Sequence, residues 1–403
     1  MKVDCVTCGL CQRFGIVLAR SRGRVCHLNN CPTGRCLSWF PDFASGRAGT
    51  RIAFPRTATG GVLISTPRDS ELEILDLRHF SSADLRPLLY AESAEWMRAL
   101  CWDYSGSAEM VLRYMDAKIL PGYAAVVNGR VQGFSFFVYE GSKGVIGDLF
   151  VDHGAGAETQ QVESTLLKHV LETLQGSPGV HRIEAQLLLH EAGALAAPFL
   201  DSGFIRHPRL FMRLPIPAEA GGNGHGHTNG NGHKKNGHVT PEEPIPAELE
   251  LRRWSEEEFQ GAATIITTAY RGHVDSDIND QYRTVAGSMR FLNNIVRFPG
   301  CGVFDPEASF VVRNRNNRSV VGLILCSQVK PDVGHVTQIC IAPEYRGKGI
   351  ASSLIATACA DLRRRKFSAL TLTVTQANSN AVELYKKLGF SVTRVFDAFV
   401  WEG

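Results

Sequence analysis

At 403 residues, 44% apolar and 21% charged, the chain is long enough for two ordinary domains and too apolar to be disordered throughout. Forty-three Lys and Arg stand against forty Asp and Glu, and a net charge of +3 is too small to imply a nucleic acid or an acidic membrane surface as partner. No apolar run approaches the roughly 18 residues of a transmembrane helix, and the N-terminus lacks the apolar stretch of a secretory signal, so a cytoplasmic protein is expected.

Residues 1–60 form a Cys- and Arg-rich extension in which Cys5, Cys8 and Cys11 are spaced C-x2-C-x2-C, and Cys26, Cys31 and Cys36 follow as C-x4-C-x4-C. Closely spaced thiols can converge on zinc or an iron–sulfur cluster. No apolar frame surrounds these six, so a disordered or spurious extension is favoured over either metal reading. The other five cysteines, Cys101, Cys301, Cys326, Cys340 and Cys359, are scattered as buried apolar residues are under reducing conditions. Residues 70–216 make a first domain. Residues 217–248 are a linker: GGNGHGHTNGNGHKKNGH has almost nothing apolar to offset its ordering entropy, and the PEEPIPAE that follows is stiffer and extended. The histidines at 225, 227, 233 and 238 have no preformed geometry there, and no metal is expected.

Residues 249–403 alternate helical and strand patterns, the mark of an α/β or α+β domain. Ser255 heads a helix through Tyr270, with Glu258 completing a capping box, and a second helix covers Asn279 to Val296 before Pro299 and Gly300 end it. Strands follow at Ser309 to Arg313, Ser319 to Val329 and His335 to Ala342, rich in β-branched residues and parted by the turn segments RNRNN and KPDVG. Ile350, Leu354, Ala358 and Leu362 recur every four residues, giving a helix with one apolar face. The Arg363 to Lys366 cluster sits at its negative dipole end and is read as solvated. Leu370, Leu372 and Val374 alternate with threonines as a half-buried strand does, and a last helix runs from about Asn380 to Leu388.

The chemistry sits where the third strand meets the helix after it, in IAPEYRGKGIASSL. Gly347 and Gly349 let the backbone turn tightly with its amides facing one way, and the helix N-terminus adds unpaired donors and a positive dipole end. Such a cradle suits a pyrophosphate.

These residues resemble the GNAT superfamily of N-acetyltransferases, whose loop Q/R-x-x-G-x-G/A is matched by Arg346, Gly349 and Ala351. Downstream, Asn378, Ala381, Leu384, Tyr385, Gly389 and Phe390 reproduce the family's N-x-x-A-x-x-L-Y-x-x-x-G-F pattern. The resemblance implies a mixed, mostly antiparallel sheet splayed at an acetyl-CoA site and flanked by helices, within an α+β chain. It implies direct attack of an amine on the acetyl thioester of acetyl-CoA as co-substrate. Amides of Gln338, Ile339, Cys340 and Ile341 would align the pantetheine and hold the thioester carbonyl, those of Arg346, Gly347, Lys348, Gly349, Ile350 and Ala351 would grip the pyrophosphate, and Asn378 and Ala381 would flank the cofactor. Tyr385 is the residue expected to protonate the departing thiolate, although Ala381, Leu384, Tyr385 and Leu388 also share a face that packs. For the base, His335 and Glu344 are the candidates, with Gln338 able only to orient a water, and relatives often use water chains. Cys340 reads as a core residue, since nothing in the sequence around it lowers its pKa.

The acceptor is a small-molecule amine or a peptide or protein amine. Asp275, Asp277 and Asp280 cluster where relatives shape the acceptor pocket, and Asp275 and Asp277 are candidates to attract an ammonium or simply to cap helices. A second reading is an acyl-CoA-binding or sensing protein without turnover.

The upstream half looks like a degraded copy of the same unit. Asn128 and Gly133 are spaced as Asn317 and Gly322 are, and Gly133 to Gly203 is 70 positions against 67 from Gly322 to Gly389. Matching helix to helix puts Glu158, Thr159, Gln160 and Gln161 where Arg346 to Gly349 stand, and Phe199 in place of Tyr385. Acidic charge repels a pyrophosphate and a ring without hydroxyl protonates nothing, so this copy is expected to be inactive unless Gly154 and Gly156 form a shifted loop. The two-lobed plan resembles that of mycothiol synthase, and no residue identifies that substrate.

Overall fold

The computed structural model describes residues 72–152, 159–217, 245–297 and 300–403, and before them only four two-residue strands between Cys5 and Val25. The side chains of the N-terminal cysteine cluster, the linker histidines, Gly154, Gly156 and Glu158 lie outside the described residues.

Two runs of elements follow one another in similar order. The first lobe is β1 (Leu72–Asp76), α1 (Ser82–Leu100), α2 (Ser105–Asp116), β2 (Gly122–Val127), β3 (Arg130–Glu140), β4 (Lys143–Val151), α3 (Thr159–Gln175), β5 (Arg182–Gln186), α4 (Ala196–Asp201) and β6 (Ile205–Pro215). The second is β7 (Leu249–Arg253), α5 (Phe259–Ala269), α6 (Val274–Ile278), α7 (Val285–Arg297), β8 (Val303–Asn314), β9 (Val320–Lys330), β10 (Val333–Ile341), α8 (Ile350–Arg364), β11 (Ala369–Thr375), α9 (Ser379–Lys387) and β12 (Ser391–Glu402).

All twelve strands belong to one sheet, in the order β7-β8-β9-β10-β11-β6-β12-β5-β4-β3-β2-β1. Only β4 with β5 and β10 with β11 run parallel, so the sheet is mixed and mostly antiparallel with helices flanking it, as expected. The lobes interlock at its middle. β6, the last strand of the first lobe, pairs with β11 of the second over Arg209–Pro215, while β12 pairs with β5 over Ala398–Glu402. Each lobe therefore completes its sheet with the other's final strand, and main-chain hydrogen bonds cross where the sequence has a linker.

Period-two alternation decides which helices each face receives. Ala124, Phe134 and Phe136 pack with α1 and α2, whereas Ala125, Phe137 and Ile146 pack with α3. The α1 side extends into the second lobe. Trp96 and Trp102 share a cluster with Val329, Val333 and Ala369, and the Trp102 ring lies 5.0 Å from that of His335. A buried ionic cluster ties the halves as well: Lys143 reaches Asp280 at 2.6 Å and Glu140 and Glu184 at 3.2 Å each.

Two local expectations are corrected. Ser255 makes no side-chain cap, and Glu258 does not reach back to it, because Arg313 on β8 draws the Glu258 carboxylate into a buried pair at 2.7 Å. The helix expected over Asn279 to Val296 is broken into a 3-10 turn at Asp280–Arg283 and α7, since the Asn279 side chain accepts from the Gln281 amide and starts the turn by itself.

Candidate active site

The second lobe splays. β10 and β11 pair from Val333 with Ala369 only as far as Val336 with Leu372, and the register between β9 and β10 shifts at Leu325 and Cys326, leaving Thr337 as the extra residue of a bulge. Beyond that point the two strands part. A cavity of about 770 Å³ opens there, bounded by residues 336–341, the loop before α8, α9 and the end of α5.

The loop turns as its glycines require. After a 3-10 turn at Pro343–Tyr345, Gly347 has φ +75° and Gly349, the N-cap of α8, has φ +71°, a left-handed conformation costly for other residues. Ile350, Ala351 and Ser352 line the cavity from the first turn of α8, where amides have no partner within the helix. The Arg346 guanidinium braces this loop by donating to the Ala269 carbonyl at 2.7 Å and the Ile341 carbonyl at 3.3 Å. Lys348 is exposed, its ammonium 4.9 Å from the Tyr345 ring centroid, and its side chain is off the cavity wall.

Along β10, the Gln338 Oε1 accepts from the Tyr270 hydroxyl at 2.7 Å and from the Ile339 amide at 2.9 Å. The Ile339 amide, expected to serve a ligand, is thus partnered by its neighbour's side chain. In exchange the Gln338 Nε2, buried in the cavity wall, has no acceptor among the described residues. An orphan donor beside an anion cradle fits a long ligand with a phosphate at one end and a carbonyl at the other. Burial pushes the Cys340 thiol well above its ordinary pKa even though Arg346 opposes it, so it stays a neutral thiol in the wall. Asn378 uses its Oδ1 to cap α9 through the Ala381 amide at 3.3 Å, and both line the cavity with Tyr385.

Tyr385 is buried, and burial together with the charge of Asp275 raises its pKa well above the ordinary phenol. It remains protonated at neutral pH, as an acid must. Asp275 also lines the cavity; it accepts a short hydrogen bond from the Thr375 hydroxyl, and its Oδ2 is 3.5 Å from His273 Nδ1. Asp277 does not join it: its side chain is 65% exposed, lies 3.7 Å from Arg283 and is off the cavity wall, which corrects its expected place in an acceptor pocket. Asp280 belongs to the Lys143 cluster, and Glu344 is an exposed loop residue.

His335 lines the cavity and is corrected as a base. Its ring lies against those of Trp102 and Phe211, and Nδ1 bonds the Thr371 hydroxyl at 2.9 Å. Burial first, and the charge of Arg209 second, lower its pKa from 6.5 to about 3. Such a weak base holds no proton near neutrality. The sign for stability follows. The unfolded chain protonates this group below 6.5 and the folded chain does not, so its contribution is complete above 6.5. It falls by about 1.4 kcal/mol per pH unit as pH drops toward 3. His335→Gln is expected to flatten denaturant-measured stability between pH 6.5 and 4.5, and an unchanged slope would refute the assignment.

The first lobe repeats the scaffold around a bulge of its own. Its bulge is at Gly147, between Phe136 paired with Asp148 and Phe137 paired with Ile146. There the Tyr104 hydroxyl donates to Asp148 at 2.8 Å and the Leu149 amide to the same carboxylate at 3.0 Å, as Tyr270 and Ile339 do to Gln338. Phe199 on α4 stands near Phe204 as Tyr385 stands near Phe390. It is fully buried, with Phe399 of β12 stacked 3.9 Å away, so an aromatic ring fills the position of the acid.

Residues that sequence reasoning missed complete the cavity. Gln186 and Leu188 come from the first lobe, Arg209 from β6, Phe396 from β12, and Tyr270, His273 and Tyr282 from the segment after α5. Only the exchange of final strands brings the first four here, and nothing local in the sequence signals that pairing.

A sheet parted beside a glycine loop and followed by a helix bearing a tyrosine is the arrangement of GNAT folds, here in tandem. Residues 275–390, within the second lobe, match the acetyltransferase (GNAT) family. Similar curated proteins are the N-alpha-acetyltransferase 30 of Schizosaccharomyces pombe, 32% identical over 92 residues, and an uncharacterized N-acetyltransferase of Methanocaldococcus jannaschii, 33% identical over 95. The matched segments span 21% and 22% of this chain and 58% and 42% of those proteins. Among solved structures, a tandem GNAT protein from the clavulanic acid biosynthesis pathway aligns at TM-score 0.50 and 14% identity, covering 82% of this chain and 98% of that one. A GCN5-related N-acetyltransferase from Sphaerobacter thermophilus aligns at TM-score 0.53 and 14% identity, covering 82% and 95%. These likenesses establish a shared tandem fold. No helix among the described residues is long and apolar enough to cross a membrane.

Proposed function

We propose that this protein transfers the acetyl group of acetyl-CoA to an amine, with both substrates held in the second lobe at once. The observation that carries the proposal is the joint placement, in one cavity, of the glycine loop of α8, the unpartnered Gln338 Nε2 and the buried, protonated Tyr385. Acetyl-CoA supplies an activated thioester carbonyl.

The residues act as follows. Backbone amides from Gly347 to Ala351 hold the diphosphate against the N-terminus of α8, while Arg346 keeps the loop in place from behind. Gln338 Nε2 donates to a carbonyl oxygen of the acylated arm, and Ile339, Cys340 and Ile341 wall it in. Asn378 fixes the start of α9, and so the direction from which Tyr385 delivers its proton to the departing sulfur. Asp275 draws the acceptor's ammonium from the cavity wall. The first lobe, whose own aromatic rings fill the matching position, acts as scaffold.

Calorimetric titration with acetyl-CoA, followed by amine-dependent release of CoA thiol, tests this reading, and a folded protein that takes up no acetyl-CoA would end it. Gly349→Glu gives a sharper check. A side chain at φ +71° costs ~1–2 kcal/mol and its carboxylate faces the diphosphate, so affinity is expected to drop ~10-fold or more. An unchanged Kd for this variant would remove the loop from the site.

A further inference from the structure

Arg209 lines the cavity and has no task in acetyl-CoA binding or proton delivery. It stands on β6, the strand the first lobe lends to the second, with Thr375 and Phe396 as its cross-strand partners. Its Nη1 donates to Gln186 Oε1 at 2.7 Å, and its buried Nε has no acceptor among the described residues. No carboxylate lies within ion-pair distance of it among the described residues, although neighbouring arginines have one: Arg182 has Glu184 at 2.6 Å and Arg206 has Asp397 at 2.9 Å. A half-buried guanidinium whose buried Nε is unsatisfied is costly, and the cost is offset when a ligand brings an anion. With Nη1 turned to Gln186, the idle side is that of Nε, where a planar carboxylate binds through two parallel bonds.

The opposite charge is close by. Thr375, directly across from Arg209, holds Asp275 through its hydroxyl, and Cα atoms so paired are ~4.5–5.5 Å apart. One strand pair therefore presents a group that attracts an ammonium and a group that attracts a carboxylate, with a small molecule's span between them. Both line the cavity that holds Tyr385. We infer that the acceptor is an amine that also carries a free carboxylate, and that Arg209 of the first lobe binds this carboxylate while Asp275 receives the amine. The inference rests on the acetyltransferase reading and names its substrate class. It also gives the first lobe a part in substrate choice.

The test uses the full chain and amines in matched pairs: β-alanine, γ-aminobutyrate, glutamate and glycylglycine, each beside its carboxamide, with phosphoethanolamine as a second anion. Acetyl transfer is followed by CoA thiol release, and binding by calorimetry in the presence of CoA. A charge-assisted pair is expected to favour at least one acid over its amide ~10- to 100-fold in kcat/KM or in Kd. Arg209→Gln should bring that ratio close to one and Arg209→Lys should leave it intermediate, both with unaltered acetyl-CoA affinity, which also reports that the variants fold. Three results would overturn the inference: wild-type protein that binds acetyl-CoA yet neither binds nor acetylates any acid in preference to its amide, preference for phosphoethanolamine alone, or an acid-to-amide ratio untouched by Arg209→Gln. Loss of acetyl-CoA binding by the wild type would instead sink the acetyltransferase reading.

Discussion

Replacing Tyr385 with Phe is expected to lower kcat by ~10²- to 10⁴-fold, the usual contribution of a positioned general acid, while the affinity for acetyl-CoA stays close to that of the wild type. Tyr385 is 7% exposed, packs 5.7 Å from Phe390 and bonds no described residue through its hydroxyl, so removing the oxygen leaves the packing of α9 intact. What goes is a proton held ready. Burial and Asp275 keep the phenol protonated far into the alkaline range, so its own titration should leave no alkaline limb on the wild-type profile up to pH 10. The readout is single-turnover release of CoA thiol beside calorimetry for acetyl-CoA. A Tyr385→Phe enzyme as fast as the parent would assign the tyrosine to packing alone, the role its neighbours Ala381, Leu384 and Leu388 share.

The features that could be read from the sequence are those in which local chain chemistry dictates local geometry. Gly347 and Gly349 announce a tight turn and the four-residue repeat from Ile350 announces α8; both stand as their chemistry requires. The two-lobed plan was legible for the same reason, since turn residues at matching intervals mark equivalent hairpins. Partner choice was not legible. β6 and β12 have the alternation any half-buried strand has, and that pattern is satisfied equally by a neighbour in the same lobe or in the other. The error at Glu258 has the same root. A capping box is a contest between a backbone amide and whatever cation arrives from elsewhere, and here Arg313 arrives. The sequence records the place of His335 beside the site and not Trp102 and Phe211, which come from the other lobe. The least legible part of the cavity is thus the part built by the exchange, where Gln186 and Arg209 meet.

That exchange is held on one flank by Lys143, and Lys143→Met is expected to cost ~3–5 kcal/mol of unfolding free energy at neutral pH, as removal of one partner from a buried ion pair does. Lys143 is 3% exposed, and its ammonium serves Glu140 and Glu184 of the first lobe together with Asp280 of the second. Glu140 and Asp280 respond differently to pH. Burial already raises the Glu140 pKa, with Lys143 opposing; without the lysine that carboxyl climbs further and the folded protein takes up a proton that the unfolded chain releases. A raised folded pKa means stability that is present at low pH and lost as pH rises, so the variant should be weakest near pH 7 and partly recover toward pH 5. In Asp280 the sign is reversed. Although burial works against it, Lys143 and the nearby arginines hold its pKa below the ordinary carboxylate value, and the stability it contributes is present above that value and lost as acid protonates it. Losing Lys143 removes much of that acid sensitivity too. Urea unfolding of both proteins at pH 5 and pH 7 reads the difference directly. Equal losses at the two pH values would mean that Lys143 acts through its methylene packing, and that the charge cluster does not hold the lobes together.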